Sequence, residues 1–174
     1  MKNQILYIVG ELGLALPEEL RPILTQHFGG LNEGTFDENL RELEGEGALF
    51  RLLPGENSLN QEGFILGPEA RVGESFGLKR LMVENGLAYR GETVNWSAFS
   101  ARLLEGTMGE VRELREDILK RYEDPKRLEM RYFELALRYH AIYGFFFERH
   151  DPSFLAPYAE ALKECRDYLA KMQP

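Results

Sequence analysis

Within residues 33–46, six acids, Glu33, Asp37, Glu38, Glu42, Glu44 and Glu46, stand against one base, Arg41, a net charge of -5. Carboxylates at that density repel phosphate and attract cationic groups, although a single acid can read the amino group of cytosine. A second group with chemical potential is aromatic: Tyr132, Phe133, Tyr139, Tyr143 and the run Phe145-Phe146-Phe147 recur at helical spacing, with His140 among them. Such a stripe packs a core or a subunit interface, or lines a pocket between helices. Glu148-x-His150-Asp151 brings two acids and a histidine together, but Asp151 precedes Pro152 and reads as a helix cap. Three scattered histidines and one cysteine, Cys165, cannot alone fill a metal site. The glycine strings Gly29-Gly30 and Gly45-Glu46-Gly47 lack the lysine and following helix of a phosphate loop. No serine or cysteine constellation suggests catalysis. The residues predict no enzyme, no cofactor and no metal.

Helical and strand periodicities position these groups. Ile5, Leu6, Ile8, Val9 and Leu12 form one helical face that Gly13 stops. Pro17-Glu18-Glu19 opens a second helix with the inward stripe Leu20, Ile23, Leu24 and Phe28, closed by Gly29-Gly30. Thr35-x-x-Glu38 is a capping-box pattern, so a third helix is expected from Thr35, with Phe36, Leu40 and Leu43 inward. Two short β-like runs, 48–53 and 64–66, flank the turn Pro54-Gly55-Glu56-Asn57-Ser58. Three helices followed by a hairpin is the order of a winged helix-turn-helix.

Beyond residue 77 the chain reads as helical throughout. Helices are expected over 76–84, from Trp96 to Leu104 behind Asn95, and from a second capping box at Thr107-x-x-Glu110 to Tyr122. Asp124-Pro125 opens another, and Asp151-Pro152 ends it and starts the last. Between those pairs Leu128, Tyr132, Leu135, Tyr139, Ile142 and Phe146 alternate by four and three. Beside them runs a second stripe, Phe133, Leu137, His140, Gly144 and Phe147. In the last helix Tyr158, Leu162, Cys165, Leu169 and Met172 repeat the pattern. A helix apolar on two faces needs cover from two sides, which predicts a homodimer. Tyr132, Tyr139, His140, Tyr143 and Phe146 are therefore candidates for a dimer interface or a ligand pocket.

At 174 residues the chain suits one domain or two small ones, and 44% hydrophobic with 29% charged residues excludes general disorder. No apolar run reaches the roughly 18 residues of a membrane span, and Glu11 interrupts the N-terminal apolar stretch where a secretion signal needs small residues. A cytoplasmic location without membrane contact is expected. Residues 1–77 hold 5 basic and 13 acidic side chains, while residues 78–174 hold 16 of each. The whole net charge of -8 thus belongs to the first region, where it repels nucleic acid at long range.

Gly34-Thr35-Phe36-Asp37, with Leu40, Leu43-Glu44 and Gly47, resembles the Gly-Thr-apolar-Tyr-x-x-Leu-x-x-Leu-Glu-x-x-Gly of PadR-like winged-helix transcription regulators. Phe64-Ile65-Leu66-Gly67-Pro68-Glu69-Ala70 is similar to the end of that family's second wing strand. The resemblance covers about residues 4–74. It implies a mostly α (α+β) chain with a winged helix-turn-helix over 1–77, a small β-hairpin wing, and a helical dimerisation or effector region over 78–174. It also implies duplex DNA as partner, contacted by Asn32, Thr35, Asn39 and Arg41 of the recognition helix and Arg51 and Asn57 of the wing. Asp37 stands where the family has tyrosine, and Leu16-Pro17-Glu18-Glu19-Leu20 replaces its Gly-Tyr-Glu helix start. Two functions follow: a dimeric, DNA-binding regulator, or a winged-helix module whose acidic face binds a basic protein.

Overall fold

The computed structural model describes residues 1–28, 32–91, 93–121 and 124–172. It is mostly helical with one small antiparallel sheet, and it divides into two compact units, Met1–Asn95 and Trp96–Pro174. The division falls later than the expected 77/78 boundary because the helix Leu78–Glu84 buries Leu78 and Met82 in the first unit's core.

In the first unit, α1 (Lys2–Leu12) buries all five of its expected apolar positions. Gly13 ends it at φ 80°, with its N–H donated to the Val9 carbonyl at 2.8 Å. α2 (Pro17–Phe28) starts with Pro17, and the Glu19 carboxylate accepts the Leu16 N–H at 2.9 Å. Leu20, Ile23 and Leu24 point inward, whereas Phe28, expected on the same stripe, is 42% exposed. Gly29-Gly30 lies outside the described residues, as does Tyr122 in the second unit.

α3 (Glu33–Gly45) starts earlier than its threonine suggests. Asn32 is the cap, its Oδ1 accepting the Gly34 N–H at 3.0 Å, and Thr35 is already helical, with its N–H on the Asn32 carbonyl. Phe36, Leu40 and Leu43 are buried as the spacing requires. β1 (Leu49–Leu52) and β2 (Gly63–Leu66) pair antiparallel in the register Leu49 with Leu66 and Leu52 with Gly63. A bridge between Ala15 and Phe64 ties the α1–α2 connection to β2. α4 (Leu78–Glu84) completes the core.

The second unit contains α5 (Trp96–Lys120), α6 (Pro125–Arg149) and α7 (Ala156–Met172), each packed on the other two. The expected break before Thr107 is absent. Thr107 lies buried inside a continuous helix, where its hydroxyl donates back to the Leu103 and Leu104 carbonyls at 3.0 Å. Asp124 caps α6 through the Lys126 N–H. Asp151 caps a 3-10 turn over Pro152–Leu155, and α7 follows from Ala156.

Tyr158 of α7 is fully buried, with its hydroxyl donated to the Leu135 carbonyl at 2.8 Å. Burial pushes this phenol from 10.0 up to about 12, and burial likewise pushes the Cys165 thiol from 9.0 up to about 11. Both groups stay protonated in the folded unit at pH values where the unfolded chain ionises them. Unfolding therefore releases protons, and stability present below pH 9 is lost as pH rises through 9 to 12. The expected loss is on the order of 3 kcal/mol by pH 11. Urea unfolding followed at Trp96, the chain's sole tryptophan, should show this decline, and Tyr158→Phe with Cys165→Ala should flatten it.

Candidate interaction site

α3 carries the acidic cluster, and its three buried residues fix which side faces out. At about 100° per residue, Glu38, Arg41, Glu42 and Gly45 lie opposite Phe36, Leu40 and Leu43, and all four are exposed. Asp37, Glu44 and Glu46 lie along the two edges of the helix, where neighbouring elements supply cations.

On the edge beside α1, Lys2 Nζ reaches Glu42 Oε2 at 2.8 Å and Glu46 Oε1 at 2.6 Å. Hydrogen bonds to Glu42 and then Glu46 hold the ammonium above its ordinary value. On the other edge Arg21 of α2 pairs with Asp37 at 3.1 Å, and its guanidinium lies 5.0 Å from the centre of the Phe36 ring. Arg51 of β1 makes a two-pronged contact with Glu44, Nε and Nη2 each 2.8 Å from a carboxylate oxygen, and Nη1 reaches Glu62 at 2.9 Å. The Glu44 hydrogen bonds raise the Arg51 pKa further. A two-pronged guanidinium–carboxylate contact fixes orientation as well as charge.

Exposed pairs like these stabilise a fold by only about 0–1 kcal/mol each. Their importance here is positional. A phosphate drawing Arg51 away would exchange its attractions to Glu44 and Glu62 for a single one, and would itself lie beside both carboxylates. Three of the first unit's cations are thus engaged by carboxylates of α3 itself.

The six residues expected to meet DNA fall into distinct positions. Arg41 is exposed on the outward face, with Nε 3.3 Å from its own helix's Asp37 carbonyl. Thr35 is exposed, and Asn39 turns back to donate to the Thr35 carbonyl at 2.6 Å. Asn32 serves as the cap. Arg51 is held between two glutamates. Asn57 is buried, and it braces the hairpin loop by donating to the Gln61 carbonyl at 2.7 Å and accepting the Leu59 N–H at 3.0 Å. The outward face therefore brings together Arg41, Glu38 and Glu42. Lys2, Arg21 and Glu62, the partners that set its charge, carried no local sequence signal because each comes from another element.

The aromatic candidates divide between core and surface. Phe146 is fully buried against Phe99 and Phe154, and Trp96 meets its ring edge-on at 5.6 Å. Tyr132 and Tyr139 are half-buried, Tyr139 meeting Tyr158 edge-on at 5.4 Å. His140 and Tyr143 are exposed, with Tyr143 stacked on Phe147. A cleft of 230 Å³ between α5 and α7 is lined by Met108, Val111, Arg112, Arg115, Pro157, Glu160, Ala161 and Glu164, so none of the aromatic candidates lines it. Among the described residues, no three metal-ligating side chains are grouped, and no helix is long and apolar enough to cross a membrane. Compared with protein-family models, with curated proteins and with solved structures, the chain matches none.

Proposed function

We propose that this chain is a cytoplasmic binding module rather than an enzyme, that its first unit docks a basic protein segment on the outward face of α3, and that it acts as a homodimer through its second unit. One observation carries the reading. Lys2, Arg21 and Arg51 are all engaged by carboxylates of α3, while Glu38 stands exposed on the outward side one turn from Glu42, whose carboxylate shares Lys2 with Glu46. Like charges at that spacing cost helix stability. A cationic partner relieves the repulsion and is steered to the face by it.

Calorimetric titration with a lysine- and arginine-rich peptide tests the proposal. Wild-type protein is expected to bind at low salt, and Glu38→Gln with Glu42→Gln to weaken binding about tenfold. Equal affinity for both proteins would contradict it. A second reading, a PadR-like dimeric regulator of duplex DNA, is favoured by the order of three helices and a hairpin and by the outward Arg41. α3 supplies that reading with a single basic residue, Arg41.

A further inference from the structure

α6 leaves one apolar face uncovered. Met130 is 63% exposed, Phe133 62%, Leu137 70% and Phe147 68%, while Leu128, Leu135, Ile142 and Phe146 on the other side are buried. With His140 and Gly144, also exposed, these residues follow steps of three, four, three, four and three, the seam spacing of a paired helix. That spacing reads identically from either end. Two copies running antiparallel therefore place Met130 against Phe147, Phe133 against Gly144, and Leu137 against His140, each layer occurring twice. A Cβ at Gly144 would meet nothing within 4 Å, so the glycine leaves a notch that the facing Phe133 ring fills. A parallel pair would set glycine on glycine and leave that notch empty. The antiparallel register also brings Arg127, near the start of α6, to Glu148, near its end, on the facing helix. Glu148 otherwise has a 3.8 Å contact with Arg149. From residue 126 to residue 148 the seam runs roughly 33 Å, enough for an interface at the small end of the stable range.

Resting on the homodimeric part of the reading above, we propose that the exposed face of α6 is the dimer seam, paired antiparallel with a second copy across a two-fold axis between Leu137 and His140. The occupant is a second copy because pattern, notch and end charges all complement themselves under that one rotation.

Sedimentation of the full chain from about 1 to 100 μM tests the seam, in the affinity range such an interface supports. Wild-type protein is expected to dimerise reversibly. Leu137→Glu places two carboxylates at the axis and should raise the dissociation constant at least tenfold, with the unfolding midpoint of the monomer unchanged because the side chain is exposed. Arg127→Glu or Glu148→Arg alone should weaken the dimer roughly threefold to tenfold, each acting at two symmetric contacts, and the two together should restore it. Monomer throughout for the wild type would overturn the homodimer and the seam with it. A dimer that survives Leu137→Glu would overturn the seam and leave the homodimer standing. Loss with Leu137→Glu but no rescue by the paired swap would overturn the antiparallel register.

Discussion

Replacing Glu38 and Glu42 together by lysine is expected to raise affinity for duplex DNA by roughly tenfold or more at moderate salt. Both side chains occupy the outward face of α3, and neither change touches the buried Phe36, Leu40 and Leu43. Lys2 retains Glu46 as a partner when Glu42 is replaced. Each swap removes a carboxylate that repels phosphate and adds a cation that releases a condensed counterion on contact. The neutral pair, Glu38→Gln with Glu42→Gln, should recover only the part due to lost repulsion. Fluorescence anisotropy with a labelled duplex measures the three proteins in parallel. Unchanged affinity in the lysine variant would show that this helix does not meet DNA even when its charge permits.

Gly13→Ala is expected to destabilise the first unit by about 3 kcal/mol or more, through two independent causes. Gly13 holds φ 80°, a left-handed conformation that costs any other residue energy. An added Cβ would also lie 2.6 Å from the Gly91 carbonyl carbon and 2.8 Å from its oxygen. That neighbour is backbone and is itself fixed: the adjacent Arg90 donates its N–H to the Leu12 carbonyl at 2.9 Å and its guanidinium pairs with Glu19. Displacing it loosens the end of α1 and the first turn of α2 together. For a unit of this size the melting midpoint should fall by roughly 15 °C. Amide exchange over residues 1–28 should accelerate, while the Trp96 transition in the second unit stays in place. An unaltered exchange pattern would contradict the packing described for Gly13 and Gly91.

The elements carried by periodicity and punctuation were legible in the sequence. Gly13, Pro17 and Asp124 mark helix boundaries because their backbone chemistry acts locally, and the stripe of α1 lies buried as its spacing demands. Capping boxes were less decisive. Thr107-x-x-Glu110 has the right residues, but a threonine hydroxyl also bonds back along an unbroken helix, and the packing of α5 against α6 and α7 favours continuity. At α3 Asn32 took the cap that Thr35 also matched, because Asn32 Oδ1 reaches Gly34 and the Thr35 N–H already has a partner. The acidity of residues 33–46 was plain from composition. How it is neutralised was not, since Arg51 meets Glu44 and Glu62 only after the hairpin folds against α3. Asn57 resembled a wing-tip contact residue for a similar reason: its burial follows from the loop closing on its amide. Both stripes of α6 were visible as spacing, but which one α5 and α7 would cover depended on tertiary packing.

Titration of the wild-type chain with duplex DNA across a range of salt concentrations tests most directly whether α3 presents an acidic protein-binding face. With Lys2, Arg21 and Arg51 paired to α3 and Arg41 flanked by Glu38 and Glu42, only weak binding, with a dissociation constant above about 100 μM, is expected at about 50 mM salt. Tighter, saturable binding whose log affinity falls with log salt at a slope of about two to four, and which Arg41→Ala abolishes, would contradict the account and assign this face to DNA.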